Sequence, residues 1–138
     1  MVFKKILSSA PYSLDWAALL MRFVFCGLMA INHGLMKISL FSENPESFSD
    51  PVGIGSTTTY YLVVFAEAIC SGLVLLGLFT RLALLPLLVA MAVAVFQVQW
   101  DNPMTDKELP LLYLSVYVAI WLLGPGRYSL DAMVIEKR

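Results

Sequence analysis

Four long apolar runs constrain this chain of 138 residues more than any other feature. They cover residues 14–40, 57–79, 81–100 and 108–123. A helix that crosses a membrane needs about 20 mostly apolar residues, whereas a transmembrane β-strand needs only about 10. Each run is therefore predicted to be a membrane-spanning helix. The predicted fold is all-α, an integral membrane four-helix bundle that forms a single domain.

The composition agrees with this class. Hydrophobic residues make up 59% of the chain and charged residues 14%, whereas soluble domains have about 45–50% and about 25%. A soluble globule of this size cannot cover so much apolar surface with so few charges. The net charge of −1 offers no basic surface for nucleic acid. The composition therefore excludes a soluble enzyme and a nucleic-acid-binding protein, and the lipid bilayer is the expected environment.

Basic residues concentrate on one side of the predicted bundle, while acidic residues dominate the other. Because lysine and arginine favour the cytoplasmic side, both termini are predicted to be cytoplasmic. Residues 1–12 are predicted to be a short interfacial segment, since Pro11 breaks their apolar stretch. The basic residues on this side are Lys4, Lys5, Arg81, Arg127, Lys137 and Arg138.

Local signals predict where the helices begin. Ser13 and Thr80 are suited to cap the first and third helices. Thr105 and Glu108 have capping-box spacing before the fourth helix. In the first loop, an asparagine followed by proline predicts a short surface helix over residues 45–50.

One face of the first helix carries polar residues at membrane depth. Arg22, Cys26, Met29, His33 and Lys37 lie three or four residues apart, so they form one stripe. Ionisable side chains inside a span are costly and usually face the bundle interior, where they find partners. The stripe is therefore predicted to face inward, although Lys37 and Arg22 are also long enough to reach the two interfaces.

Glu67, near the middle of the second helix, is the predicted partner of this stripe. Two interpretations stay open: a buried ion pair that fixes helix packing, and a proton-handling carboxyl that lines a ligand cavity. The candidate intramembrane polar cluster consists of Arg22, His33, Lys37, Glu67 and Gln97.

Three tyrosines are candidates for lining a cavity beside this cluster. Tyr60 shares the face of Glu67, while Tyr113 and Tyr117 share one face of the fourth helix. The sequence leaves open whether that face or the opposite one, which carries Glu108 and Ser115, points inward. Tyr117 lies near mid-span and needs a hydrogen-bond partner there.

A short repeat marks the predicted cytoplasmic rim. Tyr12-Ser13-Leu14-Asp15 recurs as Tyr128-Ser129-Leu130-Asp131. It predicts ion pairing at the rim, in which Asp131 or Asp15 pairs with an arginine, Arg81 and Arg127 among them. The alternative is that each copy reflects only the residues that favour a helix start.

Metal and thiol chemistry have little support in the sequence. A single histidine, His33, cannot form a multi-histidine site, so no metal is predicted. Cys26 and Cys70 belong to no CxxC pair and are predicted to be small buried apolar residues.

Several of these residues lie in motifs whose order and spacing form a recognisable combination. The combination resembles the DoxX family of small four-span bacterial membrane proteins over about residues 14–131. The resemblance implies a multi-pass protein of the bacterial cytoplasmic (inner) membrane, with Arg22, His33, Lys37, Glu67 and Arg81 as characteristic polar positions. The motifs are Arg22-Phe23 with Gly27, His33-Gly34-Leu35-Met36-Lys37, Phe65-Ala66-Glu67, Leu76-Gly77-Leu78-Phe79-Thr80-Arg81 and Gly124-Pro125-Gly126-Arg127-Tyr128-Ser129-Leu130-Asp131.

The resemblance implies a link to redox chemistry. Some members or relatives are linked to oxidoreductase complexes that pass electrons to quinone, as in thiosulfate oxidation, and others to oxidative-stress resistance. We therefore expect an accessory or quinone-interacting subunit of a membrane redox system, with quinone as its ligand. The chain has no stand-alone catalytic motif and no flavin, haem or iron–sulfur motif, so a redox partner protein would supply the electrons.

Two other functions remain open. The first is a non-enzymatic scaffold that holds a partner protein in the membrane, either as a monomer or as a homo-oligomer. The second is a small transporter, for which one buried carboxylate and no broken helix make a poor substrate pathway.

Overall fold

The computed structural model describes residues 13–134, and helices dominate this part of the chain. No strand occurs within these residues, which confirms the predicted all-α class. One 3₁₀ turn, Pro45–Ser47, lies in the loop between the first two helices. In chain order the helices are α1 (Leu14–Phe41), α2 (Ser56–Leu76), α3 (Thr80–Val98), α4 (Met104–Leu123) and α5 (Leu130–Val134).

Three helices in the described part of the chain, α1, α2 and α3, are long and apolar enough to cross a membrane. Helix α4 has 20 residues, carries Asp106, Lys107 and Glu108 in its first turns, and packs mainly along α3. The outer surface of these helices is rich in exposed apolar side chains, as expected for contact with lipid. The fourth span and the cytoplasmic termini stay predictions, and the interfacial segment 1–12 lies outside the described residues.

The helix boundaries agree with the sequence where the caps are local. Ser13 caps α1 as predicted, because its hydroxyl accepts from the Trp16 amide at 3.4 Å. Helix α4 begins at Met104, four residues before the predicted start at 108, and Pro103 occupies its cap position. The predicted surface helix over 45–50 is only the 3₁₀ turn, since the backbone becomes extended at Phe48.

The core forms where α1, α2, α3 and α4 meet, and the polar stripe of α1 faces it. Arg22, Cys26 and Met29 are fully buried, while His33 and Lys37 are partly buried. This confirms that the stripe points inward. The buried core residues from the other helices are Cys70, Val74, Ala83, Leu84, Leu87, Met91, Tyr113, Tyr117 and Ile120.

Helix α3 turns a different face inward from the one that carries Gln97. Its buried residues are Ala83, Leu84, Leu87, Met91 and Val95, and Ala90 packs against the core, whereas Gln97 is exposed. Large side chains make more van der Waals contacts than alanines when they fill the space between helices. Large side chains therefore fill most of the buried face of this apolar helix, and Ala83 is buried with them.

Helices α1 and α2 approach closely at Gly34. A Cβ atom placed on Gly34 would lie 2.7 Å from the backbone of Ala68, so no other residue fits without moving a helix. Wider π-helical turns occur on both sides of this contact, at Met29–Leu35 and Phe65–Cys70. The backbone contact holds the two segments that carry His33 and Glu67 side by side.

Asp50 organises the loop that joins α1 to α2. Its carboxylate accepts hydrogen bonds from the amides of Gly53, Ile54 and Gly55 at 2.7–3.2 Å, and from the Thr59 hydroxyl at 2.8 Å. The Thr59 hydroxyl and then the loop amides favour the charged form, so they hold the pKa of Asp50 below its ordinary value. The carboxylate thereby joins the loop to the first turns of α2.

We expect the Asp50 carboxyl to titrate below about 3.9, the ordinary value for aspartate. Because the folded-state pKa is lowered, the stabilisation is complete above the unfolded pKa and is lost as the pH falls through the folded pKa. An NMR titration of the carboxyl carbon measures this midpoint. Thr59→Val should raise it, while Thr58→Val, at an exposed neighbouring position, should not. A wild-type midpoint at or above the ordinary value would contradict the assignment.

Candidate functional site

A buried ion pair links α1 to α2. Lys37 Nζ donates to Glu67 Oε2, and the side chains are 25% and 5% exposed, respectively. The predicted partnership between Glu67 and the α1 stripe is thus present, and Lys37 forms the contact. Ser71 lies one turn after Glu67 on α2, and its hydroxyl donates to the backbone carbonyl oxygen of Glu67. At this depth each charge alone would be poorly solvated, so the attraction between Lys37 and Glu67 stabilises both charged groups.

His33 and two tyrosines extend this pair toward the core. The His33 ring lies edge-on to Tyr113, with 5.8 Å between ring centroids, and Tyr117 follows at 5.8 Å from Tyr113. Both tyrosines are buried, so the tyrosine face of α4 points inward. We call Lys37, Glu67, His33, Tyr113 and Tyr117 the Glu67 cluster. It runs from a partly exposed ammonium group to a fully buried phenol.

The hydroxyl of Tyr117 is a distinctive part of the Glu67 cluster. It is buried, and no hydrogen-bond partner lies within reach among residues 13–134. A buried hydroxyl without a hydrogen-bond partner destabilises the folded state relative to one that is hydrogen-bonded. The Tyr117 hydroxyl is therefore available to a donor or acceptor that enters the core.

Two predicted members lie elsewhere. Gln97 is exposed on α3 and does not join the Glu67 cluster. Tyr60 is buried, but it packs in an aromatic group with Phe41, Phe48 and Tyr61, at centroid distances of 5.1–6.4 Å. This group holds the first loop against α2.

Arg22 forms a second buried polar site, at the opposite end of the bundle. It lies 15 residues before Lys37 on α1, which corresponds to about 22 Å of helix. Its Nη2 donates to the Tyr128 carbonyl oxygen at 2.5 Å, while Nε and Nη1 are buried without a partner among residues 13–134. We call this the Arg22 end: the start of α1, the turn between α2 and α3, and residues 124–134. Arg22 thus contributes to the contact between α1 and the segment after α4.

Asp131 caps α3 from a distant part of the chain. Its carboxylate accepts from the amides of Phe79 and Thr80 at 2.7 and 2.9 Å, and from the Thr80 hydroxyl at 2.8 Å. Thr80, the predicted cap, is instead the first helical residue, and Phe79 precedes it in a left-handed conformation with φ 48°. The Asp131 hydrogen bonds hold this unfavourable backbone in place. The negative carboxylate also complements the positive end of α3.

Residues in and next to the two copies of the short repeat meet at the Arg22 end. Asp15 accepts from the Arg127 amide at 2.8 Å, and the Trp16 ring lies 4.8 Å from that of Tyr128. The ion pairs that the sequence predicts between these aspartates and the rim arginines are therefore not formed in the described part of the chain. Both aspartates bind backbone amides, because these donors lie at a helix start and a tight loop where they lack internal partners.

The rim arginines bind no carboxylate in the described chain. The sole ion pair within residues 13–134 is Lys37–Glu67. Arg81 Nε donates weakly to the Trp121 carbonyl at 3.3 Å, and its guanidinium lies 6.0 Å from the Trp121 ring centroid. Arg127 is exposed. Sequence reasoning found these positions but could not identify their partners.

Cys26 and Cys70 are both buried free thiols, which agrees with their predicted role as small core residues. Among residues 13–134, no group of three histidine, cysteine or acidic side chains could hold a metal ion.

The fold and these two sites define a class: an all-helical membrane protein with a buried ion pair between its first two long helices. A family model, DoxX, matches residues 17–100, which is more than half of the chain. The chain belongs to the DoxX family. The match includes Arg22, His33, Lys37, Glu67 and Arg81, and ends before α4.

A comparison with curated proteins finds a mycobacterial relative. The chain is 28% identical over 127 residues to "Uncharacterized membrane protein Rv3486" of Mycobacterium tuberculosis. The alignment covers 80% of this chain and 77% of that protein. No solved structure matches the chain.

Proposed function

We propose that this protein is a quinone-interacting subunit of a membrane redox system, and that the Glu67 cluster is its ligand site. The observation that carries the proposal is the ion pair of Lys37 and Glu67, buried at membrane depth beside His33. Ionisable groups in this position are costly, which favours a functional role. Membership of the DoxX family supports a membrane-embedded function of this kind.

The chemistry of quinone reduction matches the groups in the Glu67 cluster. A quinone takes up two electrons and two protons, and its carbonyl oxygens accept hydrogen bonds. Lys37, His33 and the orphan hydroxyl of Tyr117 can donate such bonds. Glu67 and His33 can hold and pass protons, while Lys37 balances the charge of the carboxylate. A redox partner protein supplies the electrons in this proposal.

Arg22 has a separate role in this scheme. Because it lies about 22 Å from Lys37 along α1, it does not balance charge at the ligand. Its contact with Tyr128 supports a structural role at the Arg22 end.

The proposal includes an orientation in the bacterial cytoplasmic membrane. Arg22, Arg81 and Arg127 all lie at the Arg22 end, and basic residues favour the cytoplasmic side. In this arrangement α4 is the fourth span, the Arg22 end faces the cytoplasm and the ion pair lies toward the outer side.

Titration of the purified full-length protein with a short-chain quinone analogue tests the proposal. We expect saturable binding that weakens about tenfold in His33→Ala, which loses a hydrogen-bond donor, and in Glu67→Gln, which loses the carboxylate that holds the Lys37 donor in place. Asn32→Ala, at an exposed position next to His33, is the matched control and should bind as the wild type does. Absence of saturable binding to the wild type, or equal binding by all variants, would overturn the proposal.

A scaffold function is the second candidate, and a specific observation favours it. Glu67 already has a counter-ion in Lys37, and it lies beside the Gly34 contact between α1 and α2. The pair could therefore serve to fix which helices associate. Under this alternative, Glu67→Gln changes the stability of the protein or the recovery of a stoichiometric partner protein. Neither the wild type nor any variant then binds quinone.

A further inference from the structure

An open cleft of about 820 Å³ lies at the Arg22 end. It is bordered by the first turn of α3 and by the loop Gly124-Pro125-Gly126, which follows α4. Arg81 and Arg127 both line it. A Cβ atom on Gly124 would lie 3.6 Å from Arg81 Nη2, so the guanidinium lies close to this loop. We call this space the arginine cleft.

The guanidinium groups of the arginine cleft are available to an anion. Two acidic residues, Asp15 and Asp131, also line the cleft, but their carboxylates accept hydrogen bonds from backbone amides. Arg81 makes one weak hydrogen bond through Nε, which leaves both Nη groups free to bind a ligand. Counting the buried Arg22, the Arg22 end holds three arginines against two aspartates in the described chain. A guanidinium matches the geometry of a phosphate group, to which it can donate two parallel hydrogen bonds.

Apolar side chains form part of the lining of the arginine cleft, beside its charged residues. Phe79, Leu82, Leu123 and Met133 line it, and each has a large exposed side chain. Helix α3 begins here, so the cleft lies where the apolar span gives way to the headgroup region. A ligand that combines an anionic group with apolar chains matches the arginines and the apolar part of this lining.

We propose that the arginine cleft binds an anionic phospholipid, with Arg81 and Arg127 on its headgroup phosphate and the apolar walls along the start of its acyl chains. Free phosphate shares the anionic chemistry but makes no use of those walls. The bound lipid would join α3 to the segment after α4 on the surface of the membrane. This site is independent of the Glu67 cluster and of the proposed quinone function.

Native mass spectrometry of the full-length protein tests the site. The protein is released from mixed micelles that contain equal amounts of phosphatidylglycerol and phosphatidylcholine. We expect the wild type to retain phosphatidylglycerol preferentially. The variant R81A/R127A should lose about 25-fold in apparent affinity, since each basic residue near an anionic lipid contributes about fivefold. R81K/R127K keeps both charges and should retain most of the preference.

Controls separate the site from general charge effects and from misfolding. K107A removes a cation far from the arginine cleft, at the start of α4, and should leave the preference unchanged. R127A alters only an exposed side chain, so it should fold normally and lose about fivefold. Equal retention of both lipids by the wild type, or undiminished retention by R81A/R127A and R127A, would overturn the proposal. Displacement of the lipid by inorganic phosphate as readily as by phosphatidylglycerol would show that the cleft takes phosphate alone.

Discussion

Replacing Gly77 with alanine is expected to lower the free energy of unfolding by about 2–5 kcal/mol. Gly77 ends α2 in a left-handed conformation with φ 71°, which is unfavourable for alanine. The new Cβ would also overlap the buried Arg22 guanidinium and would lie 2.5 Å from the Ser129 Cβ and 3.0 Å from its Cα. Arg22 is fully enclosed, so its guanidinium can move aside only by displacing packed neighbours. Backbone strain and overpacking therefore add at this position.

Thermal or denaturant unfolding in detergent measures this loss. Gly72→Ala is the matched control on the same helix, because a Cβ at Gly72 meets nothing within 4 Å. Alanine in a helix interior is favoured over glycine by about 0.5–1 kcal/mol, so this control should be neutral or slightly stabilised. Equal stability of the two variants would show that the Arg22 end is not tightly packed around Gly77.

Lys37→Met is expected to destabilise the protein by about 3–5 kcal/mol, because it leaves the buried carboxylate of Glu67 without a counter-ion. Glu67→Gln should cost less, about 1–2 kcal/mol, since the partly exposed Lys37 can extend its ammonium group to the interface. The asymmetry follows from the different exposure of the two side chains. Unfolding of both single variants near neutral pH measures it.

The double variant completes a thermodynamic cycle. Lys37→Met combined with Glu67→Gln removes both charges and should be more stable than Lys37→Met alone. Lys107→Met, which removes a lysine from the beginning of α4, is the control and should change stability by less than about 1 kcal/mol. Additive effects of the two substitutions would mean that Lys37 and Glu67 do not interact.

The α1 stripe could be predicted because it combines polarity with helical spacing. Arg22, His33 and Lys37 contrast with the apolar residues around them, so their common face stands out. Helix α3 offers no such contrast, since alanine, leucine and methionine are all compatible with lipid. Which of its faces is buried depends on side-chain volume and on the shapes of its neighbours, and no local pattern encodes these. The sequence therefore does not reveal that Gln97 is exposed.

The hydrogen bonds at the Arg22 end could not be predicted from the sequence for a different reason. Asp131 binds Phe79 and Thr80, which lie 52 and 51 residues earlier in the chain. When a carboxylate binds backbone amides, no oppositely charged side chain in the sequence identifies its partner. The repeat that contains Asp131 indicates only that this residue lies at a helix start. Asp50 left a better local signal, because Gly53 and Gly55 follow it within five residues and provide unhindered amides.

The cap of α3 has a consequence for how the protein is made. The start of this helix leaves the ribosome without its carboxylate, which is added 51 residues later. At about 5–20 residues per second, this delay lasts roughly 3–10 s. During this time the Asp131 carboxylate cannot hold the left-handed backbone of Phe79, so the turn between α2 and α3 matures only after Asp131 has been synthesised. Assembly at this end therefore waits for the synthesis of Asp131, and a ribosome that stops before Asp131 leaves the turn without its cap.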